Sequence, residues 1–571
     1  MEPTVIAGIA GLGAVAVGLG KLKQRLELSR AKHPSLAGHA RLSRRLARLV
    51  PFYEYGPDDA FASDGADPVT VDTRRRAFDR LAAELAEGAA KSRELTQKIE
   101  PYVSDLQFTS AYRVPFQYRS LVQSRLGTSA VCVASDGPRL MNADGDWSWD
   151  LGGSYGVNLL GYDFYKGCIE RAVARVGELG PVLGPYHPVI LDNVRMLSEV
   201  SGLDQISFHM SGTEAVMQAV ALARYHTSRT HLVQFTGAYH GWWDGVQPGV
   251  GSQRQSRDVY VLKEMSDETL KVLRKRRDIA CVLVNPLQAL HPNRSATNDA
   301  MLVASDRTAG YDRAAYADWL SQLRAVCNER GIVLIFDEVF VGFRLARGGA
   351  QEYFGVSADM VTYGKTLGGG LPVGVLCGRA HLMRRYKSTA PTDICFARGT
   401  FNAHPYVMAA MNEFLTYASS DAFRTDIAAA EDVWDTRARQ LNSQLEAAGL
   451  PVRVHNLTSI WILTYERPSC YNWMLQYYLR AQGLSLAWVG TGRLIFSHNY
   501  ADEDFAEVSR RIVAAAERMQ ADGWWASTGI TNRDIRKRVF REMLSARLLP
   551  GRRARKQRQS VAPNGLPGAT G

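Results

Sequence analysis

From about residue 115 onward, short runs of apolar and β-branched residues alternate with stretches of helical spacing. HLVQF (231–235), ACVLV (280–284), IVLIF (332–336), MVTYG (360–364) and VGVLCG (373–378) are almost unbroken apolar runs. Runs of that kind suit strands covered on both faces, since a half-exposed strand would alternate apolar with polar positions. Between them, 213–228 and 313–330 repeat at the spacing of crossover helices. The alternation predicts an α/β domain with a largely parallel sheet over 115–420. Past about residue 420, a helical pattern (428–449) leads into strands at 453–465 and 493–497 and a helix at 502–521. This predicts a smaller α+β domain over 421–525.

The two ends read differently. Thr4–Gly20 holds no charge over 17 residues, about 25 Å as a helix, just under the roughly 20 residues that span a bilayer. Its five glycines lower helix propensity. Positive charge (Lys21, Lys23, Arg25) follows the run instead of preceding it, unlike a secretory signal. The expectation is a single anchor at 1–20 with the rest on the cytoplasmic side of a membrane; a peripheral or oligomer-forming apolar helix is the alternative. Residues 21–50 read as a basic amphipathic helix, with Leu42, Leu46 and Leu49 on one stripe among Arg41, Arg44, Arg45 and Arg48. A linker at 56–70 and a helical pattern over 71–100 complete a helical N-terminal extension (21–114). At the far end, 532–549 is another basic amphipathic helix, followed by GRRARKQR (551–558), so 526–571 reads as a basic helix and tail. Both basic ends are expected to touch the same membrane face.

The length of 571 residues allows two or three domains, and 46% apolar with 22% charged residues is a globular composition. The net charge of +11 is confined to the ends. Residues 21–50 carry nine Lys/Arg against one acid and 531–571 carry eleven against two, which leaves the body mildly acidic. A nucleic-acid enzyme spreads its positive charge over the working face, so no nucleic-acid partner is expected. The seven cysteines are scattered, with no CxxC and no His pair at ligand spacing. They read as reduced, buried thiols, and no metal is expected.

In sheets of this kind, chemistry sits at the carboxyl ends of the strands. Four such ends carry suggestive groups: SGTEA (211–215), GAYHG (237–241), FDEV (336–339) and YGKTLGGGLPVG (363–374). Ser211, Gly212 and Thr213 open a helix whose free N–H groups can hold a phosphate, or they form an ordinary cap. Asp337 follows a buried strand, where an acid needs a cation or a donor. Lys365, at the edge of an apolar pocket, is a candidate amine nucleophile or base, or else a snorkelling surface lysine. One cofactor satisfies all of these groups. Pyridoxal phosphate has a phosphate, an aldehyde that condenses with a lysine, and a pyridine nitrogen that needs an acidic partner.

The order SGTEA, F-x-G-x-YHG, LIFDEV-x-x-GFR, GK-x-x-GGGLPVG and GTFNAHP resembles the class III aminotransferases of pyridoxal-phosphate fold type I over roughly 115–525. FDEVFVGFR (336–344) and residues 348–374 resemble the glutamate-1-semialdehyde 2,1-aminomutases in particular. The resemblance implies catalytic roles for Lys365, Asp337 and Tyr239. Lys365 would bond the cofactor and shuttle the proton, Asp337 pair with the pyridine nitrogen, and Tyr239 stack on the ring with His240 beside it. Val339 would pack on the other face, Ser211, Gly212 and Thr213 hold the phosphate, and Thr400 reach the phosphate of a neighbouring subunit, which implies a homodimer. Three features depart from the pattern. Asn285 stands where the family has an acid in VEP, the stretch up to about 312 is longer and polar, and the connection from Gly241 to Val259 omits much of a gating loop. Holding an intermediate needs that gate, and simple transamination does not. The expected function is therefore transfer of an amino group from a small-molecule donor to an aldehyde or ketone acceptor, lipid-like or carrier-bound. The alternatives are an aminomutase and a catalytically silent membrane scaffold.

Overall fold

The computed structural model describes residues 19–34, 38–247, 251, 257–291, 310–487, 492–527 and 529–548. Its centre is a seven-stranded sheet built from β1 (Gln205–His209), β2 (His231–Phe235), β3 (Val259–Leu262), β4 (Ile279–Val284), β5 (Val333–Asp337), β6 (Met360–Gly364) and β7 (Gly374–Gly378). The spatial order is β1-β7-β6-β5-β4-β2-β3. All neighbours pair in parallel except β7, which runs antiparallel to both β1 and β6. The exception follows from chain length. Only residues 365–373 join β6 to β7, fewer than the dozen or so that a parallel crossover requires. The expected largely parallel sheet is present, and the five apolar runs form five of its seven strands.

Local signals set the helices that cover the sheet. Ser211 caps Gly212–Thr227 by accepting from Glu214 N–H at 3.3 Å. Asp312 caps Arg313–Arg330 by accepting from Ala315 N–H at 2.9 Å, and Gly331 ends it in the left-handed region at φ 57°. A second, three-stranded antiparallel sheet of β8 (Val452–Leu457), β9 (Ile460–Tyr465) and β10 (Arg493–Ile495) packs with the helices Asp421–Ala447 and Asp502–Ala521 as the smaller α+β part.

The N-terminal extension is helical and docks on this smaller part. Arg74, on the helix Pro68–Glu87, is fully buried; it grips Asp64 at 2.7 Å and donates from Nε to the Gly523 carbonyl at 2.8 Å. Two patterns expected to run on are interrupted. The stretch 21–50 forms helices at 19–31 and Ala40–Ala47, because Pro34 cannot continue a helix. The pattern over 71–100 splits at Gly88 into Pro68–Glu87 and Ala90–Ile99. No described helix is long and apolar enough to cross a membrane. Most of the apolar run Thr4–Gly20 lies outside the described residues, as does GRRARKQR. The seven cysteines form no disulfide.

Candidate active site

The carboxyl ends of β1, β2, β4, β5 and β6 and the start of β7 lie along one edge of the sheet and open into a cavity of about 1050 Å3. Asp337, the last residue of β5, is buried there. Its Oδ2 lies 2.8 Å from His240 Nδ1, and its Oδ1 accepts from Val339 N–H and from the Thr362 hydroxyl, each at 3.2 Å. Thr362 is its register partner on β6. Donors on both oxygens fix the position of this buried carboxyl and satisfy its acceptors. The opposite ring nitrogen of His240, Nε2, is buried and has no partner among the described residues.

Lys365 follows β6 at φ 49°, left-handed backbone that a lysine seldom adopts. The turn Lys365–Gly368 holds it there, tied by a hydroxyl contact between Thr366 and the buried Tyr165. Burial pushes the Lys365 amine down, the charges of Arg344 and Arg493 add to that, and Asp337 opposes it. An amine shifted in this way has more of its neutral, nucleophilic form near neutrality. The Nζ lies 5.2 Å from the centroid of the Phe340 ring. Gly156 makes room for both groups, since a Cβ there would come 2.7 Å from Phe340 and 3.3 Å from Lys365 Cδ.

At the end of β1, Ser211, Gly212 and Thr213 line the cavity at the head of a 16-residue helix. The N–H groups of Gly212 and Thr213 have no acceptor within the helix, so they face an incoming anion together with the helix dipole. Close packing shapes the cradle. A Cβ on Gly212 would lie 2.6 Å from Val339 Cγ1, and one on Gly241 would run into the Thr213 hydroxyl. Tyr239 lines the same cavity with its side chain largely exposed, and its carbonyl accepts from Asn285 Nδ2 at 3.1 Å.

A family model of class-III aminotransferases matches residues 123–515. The chain belongs to that family. A glutamate-1-semialdehyde 2,1-aminomutase of Nitratidesulfovibrio vulgaris is 31% identical over 411 residues, covering 69% of this chain and 94% of the relative. Another from Hyperthermus butylicus is 36% identical over 279 residues, covering 48% of this chain and 63% of the relative. Among solved structures, a β-phenylalanine aminotransferase from Variovorax paradoxus aligns with a TM-score of 0.62 at 21% identity, over 78% of this chain and 98% of that one. A glutamate-1-semialdehyde aminomutase from Pseudomonas aeruginosa aligns with a TM-score of 0.62 at 17% identity, over 79% and 99%. At those identities the two structures share the fold with this chain.

Class-III aminotransferases are pyridoxal-phosphate enzymes, and this cavity fits the cofactor. The glycine-lined helix head suits the phosphate, the two-sided hold on Asp337 suits a protonated ring nitrogen, and Lys365 is the amine within the cavity. When bound, the cofactor supplies the electron sink for proton removal beside the nitrogen. His240 and Thr362 fix the Asp337 carboxylate; with the cofactor bound, the N–H groups at 212–213 would hold its phosphate and the Lys365 amine would be placed to carry the proton.

The structure brings Ser211, Gly212, Thr213, Tyr239, His240, Asp337, Val339 and Lys365 to one cavity. Thr400 stands apart, exposed and outside the cavity of its own chain. Trp242 and Phe340 line the cavity as an apolar entrance would, whereas Trp243 packs into a separate apolar cluster. Several lining residues had no signal in the motifs, four of them with aromatic or charged side chains. Phe108 comes from the helix Ser104–Ala111 of the extension, Tyr155 from a left-handed turn at φ 58°, and His291 and Arg493 from a loop and from β10. Only Arg493 offers a local clue, since it alternates with Ile495 on one face of its strand.

Proposed function

We propose that the protein is an aminotransferase that moves an amino group from a small-molecule donor to an aldehyde or ketone with an apolar body and an acidic end. The observation that carries this reading is the make-up of the cavity wall. Phe108, Trp242, Phe340, Leu371, Ile462 and Ile495 line it around Lys365, and Arg493 adds a cation on the β10 side. The volume of about 1050 Å3 is at the upper end for ligand pockets. Two further guanidiniums stand near Tyr155 without a carboxylate partner among the described residues. Arg113 Nη1 and Arg480 Nε have no hydrogen-bond partner there, and burial together with the charge of Arg113 pushes Arg480 down to about 9. An anionic substrate group would relieve that repulsion.

The aminomutase reading is favoured by the 31% identity to glutamate-1-semialdehyde aminomutases over 94% of the relative's length. Against it stands the short connection from Gly241 to Val259. A homodimer belongs to the proposal: Thr400 lies between Phe396 and Phe401, which are 82% and 49% exposed, a surface that a second subunit would cover.

A half-reaction on the holoenzyme tests the choice. A free amino donor is expected to bleach the absorbance of the bound cofactor, and long acidic aldehydes to restore it better than short neutral ones. Arg493→Ala is expected to raise KM for acidic acceptors while leaving neutral ones unchanged. If free donors leave the spectrum untouched and only an amino-aldehyde cycles it, the reaction is an aminomutation.

A further inference from the structure

Two segments that the active site does not use, one from each end of the chain, meet on the surface. The helix Asn532–Leu548 turns Ile535, Arg538 and Glu542 toward the body. Its opposite face carries Phe540, Leu544 and Leu548, spaced by four and exposed at 60%, 44% and 75%. Arg536 and Arg547 flank this row on one side, and Lys537 and Arg541 on the other. The helix has two acids, and both are engaged elsewhere. Glu542 accepts from the hydroxyls of Tyr53 and Tyr55 at 3.1 and 2.7 Å, and Asp534 accepts from Thr531 N–H at 3.1 Å. Beyond the first turn, where Asp534 is exposed, the outward face carries Arg536, Lys537, Arg541 and Arg547 with an apolar ridge down its middle.

The helix Ala40–Ala47 repeats the pattern. Leu42, Leu46 and the following Leu49 are exposed beside Arg41, Arg45 and Arg48, while Ser43 is buried. The two segments are fastened together. The Tyr53 and Tyr55 contacts to Glu542 bring the chain just after Ala40–Ala47 onto the C-terminal helix, and Arg547 Nη1 donates to the Leu49 carbonyl at 3.4 Å. In sequence, residues 38–52 hold four arginines and no acid. Beyond Leu548, residues 551–558 add five basic residues and no acid.

We propose that these two faces form one docking surface for an anionic phospholipid bilayer, on which the enzyme lies without crossing it. Arginine and lysine beside an apolar row can rest their stems among acyl chains while their heads meet lipid phosphates. The exposed Phe540, Leu544, Leu548, Leu42 and Leu46 distinguish this partner from nucleic acid, whose phosphate backbone leaves such side chains in water. A second copy of this chain suits the surface less well, because the same cationic face would meet itself in a two-fold dimer.

The test uses full-length holoenzyme and vesicles of phosphatidylcholine, alone or with about 30% phosphatidylserine, at an ionic strength of about 0.1 M. Wild type is expected to float with the mixed vesicles and not with phosphatidylcholine alone. Phe540→Ser combined with Leu544→Ser, and separately Arg536→Glu combined with Arg541→Glu, should each lower the bound fraction by about tenfold or more. Both variants should keep the thermal midpoint and the turnover of soluble substrates, which separates lost docking from lost folding. Several outcomes overturn the proposal: equal binding to both vesicle types, binding unchanged in both variants, binding lost only on removal of residues 1–18, or capture by an oligonucleotide with none by vesicles. Concentration-dependent association of wild type that the Ser variants abolish, without vesicle binding, would assign the surface to a second copy instead.

Discussion

Lys365 sits on left-handed backbone, buried, with its amine pushed toward the neutral form. Replacing it with alanine is expected to cut turnover by about 100- to 10,000-fold, the usual worth of one positioned proton carrier, and to abolish the absorbance of the lysine-bound cofactor. Asp337 poses a different problem, because its two oxygens depend on neighbours. His240 reaches one at 2.8 Å and Thr362 the other at 3.2 Å. His240→Leu is expected to lower kcat with little change in KM and to weaken cofactor retention on dialysis, with His240→Gln recovering part of both. A fall in thermal midpoint alone, with kcat intact, would reduce His240 to a packing residue. The sequence made Lys365 and Asp337 legible because each follows an unbroken apolar strand, where a charged residue has few other uses. It could not show the His240–Asp337 contact, which closes between residues 97 positions apart. Nor could it show Phe108 reaching the cavity from the helix Ser104–Ala111, since no local period encodes a docking direction.

Elements with both a pattern and an end signal were legible, as Arg313–Arg330 shows with Asp312 before it and Gly331 after it. Asp312→Ala is expected to cost about 1 kcal/mol of stability, read as a lower urea midpoint at unchanged activity. Breakers inside a periodic pattern, Pro34 and Gly88, end helices that periodicity alone would extend. The antiparallel β7 was in reach of the sequence too, given the nine positions between Gly364 and Gly374. That reversal matters for function: it brings 370–373 back along the same edge as Lys365 and so closes one wall of the cavity. At the junction of helix and sheet, Gly212 allows the helix head to approach Val339. Gly212→Ala would press on Val339 at a cost of about 1–3 kcal/mol. Taken from the bound state, that weakens cofactor affinity by roughly 5- to 150-fold, measurable by titrating the apoenzyme. Unchanged affinity would show that Val339 yields without disturbing the cradle.

At the scale of the whole molecule, four buried groups tie stability to pH. Burial pushes Glu264 and Glu338 each up to about 8, and pushes His209 and His498 down to about 4 and about 3. The two pairs act in opposite directions. Below 6.5 the unfolded chain takes up protons on the histidines that the folded chain refuses, so stability is lost as pH falls from there toward 4. Above 4.5 the unfolded chain releases carboxyl protons that the folded chain keeps, so stability is lost as pH rises from there to about 8. Between 4.5 and 6.5 the slopes of these four groups oppose each other, and above 6.5 the carboxyls are the two of the four that still act. The thermal midpoint of the holoenzyme is therefore expected to fall from pH 6.5 to about 8. Glu338→Gln should flatten that fall and raise the midpoint near pH 8 more than near pH 5. Because Glu338 adjoins Asp337, cofactor loss offers a rival cause for the same slope. Glu264→Gln separates the two, since Glu264 accepts from Tyr316 in the helix Arg313–Arg330 and does not line the cavity. If both variants flatten the alkaline limb, buried carboxyls set it. If only Glu338→Gln does, the limb reports the cofactor, and if the midpoint rises from 6.5 to 8 in wild type, the carboxyls do not govern it.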